Sequence, residues 1–382
     1  MQITEVETFL VRPRWMFVKI STDAGISGWG EGGLEGFGEV VRAAVGVLAE
    51  QLIGSDPLTI EDHWQRLSKG GFYRGGPVLS SAVAGIDQAL WDIAGKALNV
   101  PVYHMLGGPV RDKVRVYGWV GGDDPDGIAD AVQAQVATGL TAVKMNACGP
   151  LDHIGTAADT DGVVARAAAA RDALGPDRDF AIDFHGRVSA PMARRLIDRL
   201  EPLHPLFIEE PNLPGVTSTS LARLIAGSCT PIAIGERLFS RWDVLPVLQD
   251  GVAVLQPDVA HAGGISEVRR IAALAETFDA AVAPHCPIGP LALAGCLQVD
   301  IATPNFLIQE QSVGIHYNTD GDLRDYLIDP AVFDIVDGHI ARPTGAGLGV
   351  QIDEDAVRRS DSDPHAWRGP TWRHPDGSHA EW

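Results

Sequence analysis

From residue 180 onward, six short apolar runs recur along the chain, and each stops at an ionisable residue. They are Phe180–Asp183, Leu206–Glu209, Ile232–Glu236, Val252–Asp258, Ala281–His285 and Phe306–Glu310, with end residues spaced 26, 27, 22, 27 and 25 positions apart. One strand, one helix and two short loops consume roughly 20–30 residues. Each step therefore carries the chain one strand around a parallel barrel, and each ionisable group falls at the carboxyl end of its strand. Two earlier strands, one at 114–120 and one ending in Val143-Lys144-Met145-Asn146, bring the count to eight. Amphipathic helices separate the runs: Met192, Leu196, Ile197 and Leu200 share one face, and Val268, Ile271, Leu274, Ala275 and Phe278 share another. The expected fold is α/β, a (β/α)8-type TIM barrel, with its chemistry on the rim that carries the ladder.

A barrel accounts for roughly 250 residues, so a chain of 382 holds more than a barrel. Residues 1–112 read as a smaller α+β domain. Runs at 2–11, 14–23 and 26–31 suggest a strand meander, and Ile86, Ala89, Leu90, Ile93, Ala97 and Leu98 fall near a helical period. The barrel is expected over 113–345. Residues 346–382 read as a polar, loop-like arm anchored by Trp367, Trp372 and Trp382.

A net charge of −20 argues against a nucleic-acid partner or an anionic membrane surface. Cys148, Cys229, Cys286 and Cys296 form no CxxC pair or zinc spacing, as expected for a reducing cytoplasm. No leader pattern and no membrane-length apolar run is visible.

Like charges gathered in a barrel mouth repel unless something compensates them. Asp183, Glu209 and Glu236 come from three consecutive strands and offer only hard oxygen ligands. That donor set suits Mg²⁺, with Mn²⁺ a possible substitute. Such a cation stabilises the enediolate formed when a proton leaves the carbon next to a carboxylate. His285 ends the run one strand after Asp258, a pairing expected to fix the imidazole tautomer and make it a general base. His185, two residues beyond Asp183, would face the substrate from the opposite side. Arg187 either binds substrate oxygens or pairs with a neighbour. Lys144 could offset charge near the metal, and Asn146 stands where a second lysine base would sit. Glu310 could donate to the enediolate if protonated, or form a rim salt bridge.

Longer motifs carry a resemblance. They include Pro13–Phe17, Gly71–Pro77, Ala84–Ile93, Asp183–Met192, His261–Ile265, Ala283–Pro287, Gln309–Ser312, Gly314–Asn318 and Ala380–Trp382. In these the chain resembles the mandelate racemase branch of the enolase superfamily, over essentially its whole length, with departures mainly at 149–162 and 212–230. The resemblance implies a capping domain made of the first residues and the returning C-terminal arm. It implies Mg²⁺ on Asp183, Glu209 and Glu236, and His285, oriented by Asp258, taking the C2 proton of a sugar acid. His185 then helps expel the C3 hydroxyl as water. D-galactonate is the expected substrate, and Arg14, Trp15 and Tyr73 are expected to help choose it. A homo-oligomer is also implied. The alternatives are dehydration of another hexonate, epimerisation of a 2-hydroxy acid on the same intermediate, and a non-catalytic barrel that binds sugar acids.

Overall fold

The computed structural model describes the chain except residues 123, 214–217, 316–317, 319, 364–366 and 382 and the side chain at 218. His316 and Tyr317 of the Gly314–Asn318 motif, and Trp382, thus lie outside the described residues. The chain opens with an antiparallel meander of β1 (Ile3–Val11), β2 (Trp15–Thr22) and β3 (Ser27–Glu31). Three helices follow: α1 (Gly38–Ala49), α2 (Ile60–Lys69) and α3 (Gly76–Leu98). α3 is buried on nearly every side from Ser81 to Gly95, so a one-sided apolar stripe understates it. Its last turn emerges, and Leu98 is exposed rather than part of a buried face. A short α4 (Val102–Met105) leads to the barrel.

Eight parallel strands form the ring: β4 (Lys113–Val120), β5 (Ala142–Asn146), β6 (Asp179–Asp183), β7 (Ile208–Glu209), β8 (Ile232–Ile234), β9 (Val254–Leu255), β10 (Ala281–Val282) and β11 (Gln309–Glu310). Each pairs with the next in sequence up to β10. β11 pairs with β4, and the Val282–Phe306 bridge closes the cylinder. Between them run α5 (Pro125–Ala137), α6 (Ala157–Leu174), α7 (Ala190–Leu200), α8 (Ser218–Ala226), α9 (Arg241–Gln249), α10 (Ile265–Glu276) and α11 (Pro290–Ala302). The start of α7 shows the local logic. Ser189 in an extended conformation accepts from the Met192 amide, and Pro191 sits in the first turn, where its missing N–H costs nothing. On α10, Val268, Ile271 and Ala275 are buried, but Phe278, expected on that face, lies beyond its end and is partly exposed.

Tyr117, Ala142, Ala181, Phe207, Ala233, Val254, Ala283 and Ile308, one from each strand run, form a single apolar layer inside the ring. Strand side chains alternate with a period of two. The residues two positions further on are Trp119, Lys144, Asp183, Glu209, Gly235, Gln256, His285 and Glu310. The layer above the apolar plug is therefore polar, at the carboxyl end of the strands.

Two carboxylates tie the first hundred residues to the barrel, and a third ties them to the arm. Glu31 accepts from the Gly289 and Ala292 amides at the start of α11. Asp87 accepts from the amide and hydroxyl of Ser266 at the start of α10. Asp92 accepts from the Trp29 and Leu348 amides. Anionic groups at helix N-termini are favourable, since the first amides lack intrahelical partners. The tail differs from the loop expected of it. Residues Glu354–Asp361 form a helix, α12, with Asp353 as its N-cap, and Val357 is buried against the meander.

Candidate active site

The ring's register brings the ladder together. Asn146 lies opposite Asp183, Asp183 opposite Glu209, and Asp258 bridges to His285. Glu236 needs a further device. Ala233 points inward, so plain alternation would turn Glu236 outward. Gly235 breaks the alternation with φ +149°, and a Cβ there would meet the Gln256 backbone nitrogen at 2.7 Å. Glu236 is thereby aimed back into the mouth, with Oε2 3.3 Å from His285 Nε2.

Lys144 is wholly buried at the centre. Its Nζ lies 2.7 and 2.8 Å from the two oxygens of Glu209, 2.9 Å from Glu310 Oε1 and 3.9 Å from Asp183 Oδ2. The carboxylates raise its pKa well above the usual lysine range despite burial. Gln256 Nε2 also donates to Glu209, at 2.7 Å. Burial first, then repulsion from Glu209, pushes Asp183 well above the usual carboxylate range. Asp183 Oδ1 accepts from the His185 amide, while Oδ2 is buried without a hydrogen-bond partner.

His285 Nδ1 sits 2.7 Å from Asp258 Oδ2, and Ala260 N donates to Asp258 Oδ1. A carboxylate can only accept, so Nδ1 carries a proton and Nε2 is the nitrogen facing the mouth. Burial opposes charge on this ring, but Glu310, Glu236 and Asp258 outweigh it and raise its pKa well above the usual histidine value.

His185 is diametrically opposite, four strands away around the ring, in a left-handed conformation with φ 54°. Its Nδ1 is 2.8 Å from Arg187 Nη2. A guanidinium can only donate, so Nδ1 accepts and Nε2 carries the proton. Burial, then the charge of Arg187, lowers its pKa to about 3. The expectation was an acid that delivers a proton; in the free protein this group is instead a neutral N–H donor.

Four further expectations change. Arg187 is buried, donates to Cys148 O at 3.0 Å, and lies 4.6 Å from the Trp372 ring of the C-terminal arm, so it pairs with neighbours and does not reach for substrate. Trp15 is not at the mouth; it packs in the core against Phe17 and Tyr326. Tyr73 is 88% exposed, beside the similarly exposed Phe72, rather than packed into the mouth. Glu310 is no protonated donor. Lys144 and His285 overcome its burial and lower its pKa, and its oxygens accept from Trp119 Nε1, Lys144 and the Cys286 amide. Arg14 does stand near His285, donating to Pro287 O at 2.8 Å. Asn146 reaches the rim with its side-chain oxygen buried and unpartnered.

Two site residues were given no role from the sequence, although His261 opens one of the motifs that carry the resemblance. Glu210 holds the Gly235 amide and Arg237, and so braces the turn that aims Glu236. His261 shares the Asp258 oxygen, with Nδ1 3.5 Å away. Among the described residues, Asp258, His261 and His285 are the one group of three whose donor atoms lie within 4.8 Å of each other. Asp183, Glu209 and Glu236 are not drawn together that closely, because Lys144 holds Glu209 and Glu236 turns to His285. The oxygen-only donor set, the mutual repulsion and the unpartnered Asp183 Oδ2 still fit a hard divalent cation.

Comparison with known proteins agrees with this architecture. Residues 6–107 match the model of the mandelate racemase / muconate lactonizing enzyme N-terminal domain, and 127–356 match the enolase C-terminal domain-like model. The chain belongs to the mandelate racemase branch of the enolase superfamily. It is 53% identical to the D-galactonate dehydratase of Ralstonia pickettii and 54% identical to that of Ralstonia nicotianae, over the full length of both chains in each case. A crystal structure of an enolase from Agrobacterium radiobacter, with bound Na and L-malate, superposes over all of both chains with a TM-score of 0.92 at 33% identity. No helix among the described residues is long and apolar enough to cross a membrane.

Proposed function

We propose that this chain removes water from a sugar acid, turning D-galactonate into 2-dehydro-3-deoxy-D-galactonate. The observation that carries the reading is a pair of histidines of opposite character facing each other across a carboxylate-lined mouth. Full-length relatives above 50% identity, named for this reaction, support the substrate.

Asp183, Glu209 and Glu236 would hold a divalent cation, Mg²⁺ by the chemistry of the donors and Mn²⁺ as a substitute. When bound, it supplies Lewis-acid stabilisation of charge building on the substrate carboxylate. In its Nε2-deprotonated form His285 takes the C2 proton, and Asp258 keeps the other proton on Nδ1 so that Nε2 is the acceptor. The electron pair left at C2 enters the carboxylate as an enediolate. Lys144 holds Glu209 and Glu310 in place and favours their charged forms against burial. The enediolate's electron pair then forms the C2=C3 bond as the C3–O bond breaks; the hydroxide leaves hydrogen-bonded to His185 Nε2–H and takes a proton from solvent, and His285 returns the C2 proton to solvent. Over the cycle, the proton lost from C2 equals the one gained by the leaving hydroxyl. The enol rearranges by moving its hydroxyl proton to C3, giving the 2-keto-3-deoxy acid. A homo-oligomeric state in the cytoplasm belongs to the same reading.

The test is a screen of hexonic acids with Mg²⁺, scored for 2-keto-3-deoxy acid. Product from D-galactonate is expected. No turnover of any hexonate, with the protein folded and metal-loaded, contradicts the proposal. Deuterium entry at C2 without loss of water would favour the epimerase reading.

A further inference from the structure

His261 has no part in the chemistry above, yet it is built into the site. It follows β9 and comes from the barrel, while its neighbours come from the first domain. Its side chain is 6% exposed, and its Nε2 is buried without a hydrogen-bond partner. Glu35 Oε2, in the loop after β3, lies 3.7 Å from that nitrogen. Arg14, from the turn between β1 and β2, holds Glu35 in place, with Nη1 3.4 Å from Oε1, and is itself fixed by Pro287 O. The His261 ring centroid is 6.1 Å from that of His285.

We infer that His261 and Glu35 form the subsite for a hydroxyl on the far end of the sugar-acid chain, and so select for substrate length and configuration. This rests on the dehydratase reading above. An unpartnered polar atom in a buried setting is costly unless something completes it. A hydroxyl both donates and accepts. One placed here reaches both His261 Nε2 and Glu35 Oε2, groups that at 3.7 Å do not hydrogen-bond each other directly. The orientation agrees with the rest of the site. His285 Nε2 faces Glu236 on the carboxylate side, where the acid end of the substrate belongs. His261 approaches the same Asp258 oxygen as His285 and lies toward the first domain, beside Glu35. A chain whose C2 meets His285 and whose carboxylate meets the acidic ladder therefore points its polyol end at this pair. A polar subsite left incomplete by a shorter substrate discriminates strongly against it.

The experiment compares kcat/KM for D-galactonate with that for a four-carbon aldonic acid of the same C2 and C3 configuration, in the Mg²⁺-loaded wild type, H261N and E35Q. We expect both substitutions to lower the hexonate to four-carbon ratio by at least about tenfold, mostly through KM for the hexonate. An equal fall for both acids would show that His261 acts only through Asp258, and would overturn the subsite. An unchanged ratio with unchanged rates would overturn it as well. Thermal unfolding and circular dichroism identify a misfolded H261N, and E35Q then decides alone, since it alters no barrel residue. Should the wild type turn over no hexonate, the dehydratase reading fails; a wild type that does, with variants of unaltered selectivity, sinks this inference only.

Discussion

Replacing Arg187 with methionine removes the guanidinium that holds the His185 tautomer, by a 2.8 Å hydrogen bond to Nδ1. A hydrogen bond from a charged donor contributes about 1.5–3 kcal/mol. That is a factor of roughly 10 to 10² in favour of the Nε2–H form. Without it the proton is free to move to Nδ1, and the nitrogen facing the substrate becomes an acceptor. The Cys148 carbonyl loses a donor and the Trp372 ring loses its cation, which adds about 1–3 kcal/mol of lost stability. Dehydration by R187M should fall about 10- to 100-fold in kcat, while His285-dependent exchange of the C2 proton persists. Proton NMR in D₂O follows both events in one sample, and ¹⁵N spectra of labelled histidine report which ring nitrogen carries the proton. If exchange and dehydration fall together, or if the ¹⁵N pattern of R187M matches the wild type, the tautomer argument is refuted.

The remaining predictions address the rest of the machinery. H285N should lose C2 exchange and dehydration together, whereas H185N should lose dehydration and keep exchange; exchange retained in H285N would remove that residue from the role of base. Glu31 tests the junction between the two parts of the chain. Burial raises its pKa to about 8 against the pull of the Ala292 and Gly289 amides. A carboxyl whose folded value is raised stabilises fully below its unfolded value of about 4.3 and loses that contribution as pH climbs through the folded one. The wild-type melting temperature should therefore drop more steeply than that of E31Q between about pH 4.5 and about pH 8; parallel profiles would count against the assignment.

Much of this architecture was legible because its cause is periodic. A strand-helix repeat sets the spacing of the ladder, and two-residue alternation within strands sets which groups face inward. Both are visible without coordinates. What escaped the sequence depends on exceptions to those periods or on distant partners. Glu236 reaches the mouth only because Gly235 adopts a backbone that any side chain would obstruct. Glu210 matters through its grip on that same turn. His261 gains meaning from Glu35, more than two hundred positions earlier, and Arg187 is drawn away from substrate by Trp372, far along the arm. Trp15 was misplaced because the resemblance assigned its whole segment to substrate choice, whereas this side chain packs in the core against Phe17 and Tyr326. The polar tail concealed a helix because α12 carries a single buried residue, Val357, too few for an apolar stripe.

The central claim is that Asp183, Glu209 and Glu236 hold one hard cation. The direct measurement is Mn²⁺ binding to the chelated protein by electron paramagnetic resonance, in the wild type and in D183N, E209Q, E236Q and H261N. The account predicts one site per chain that Mg²⁺ displaces, that each carboxylate substitution weakens strongly, and that H261N leaves in place. Binding that survives the three carboxylate substitutions but disappears in H261N would move the cation to the Asp258–His261–His285 cluster, and would contradict the account at its root.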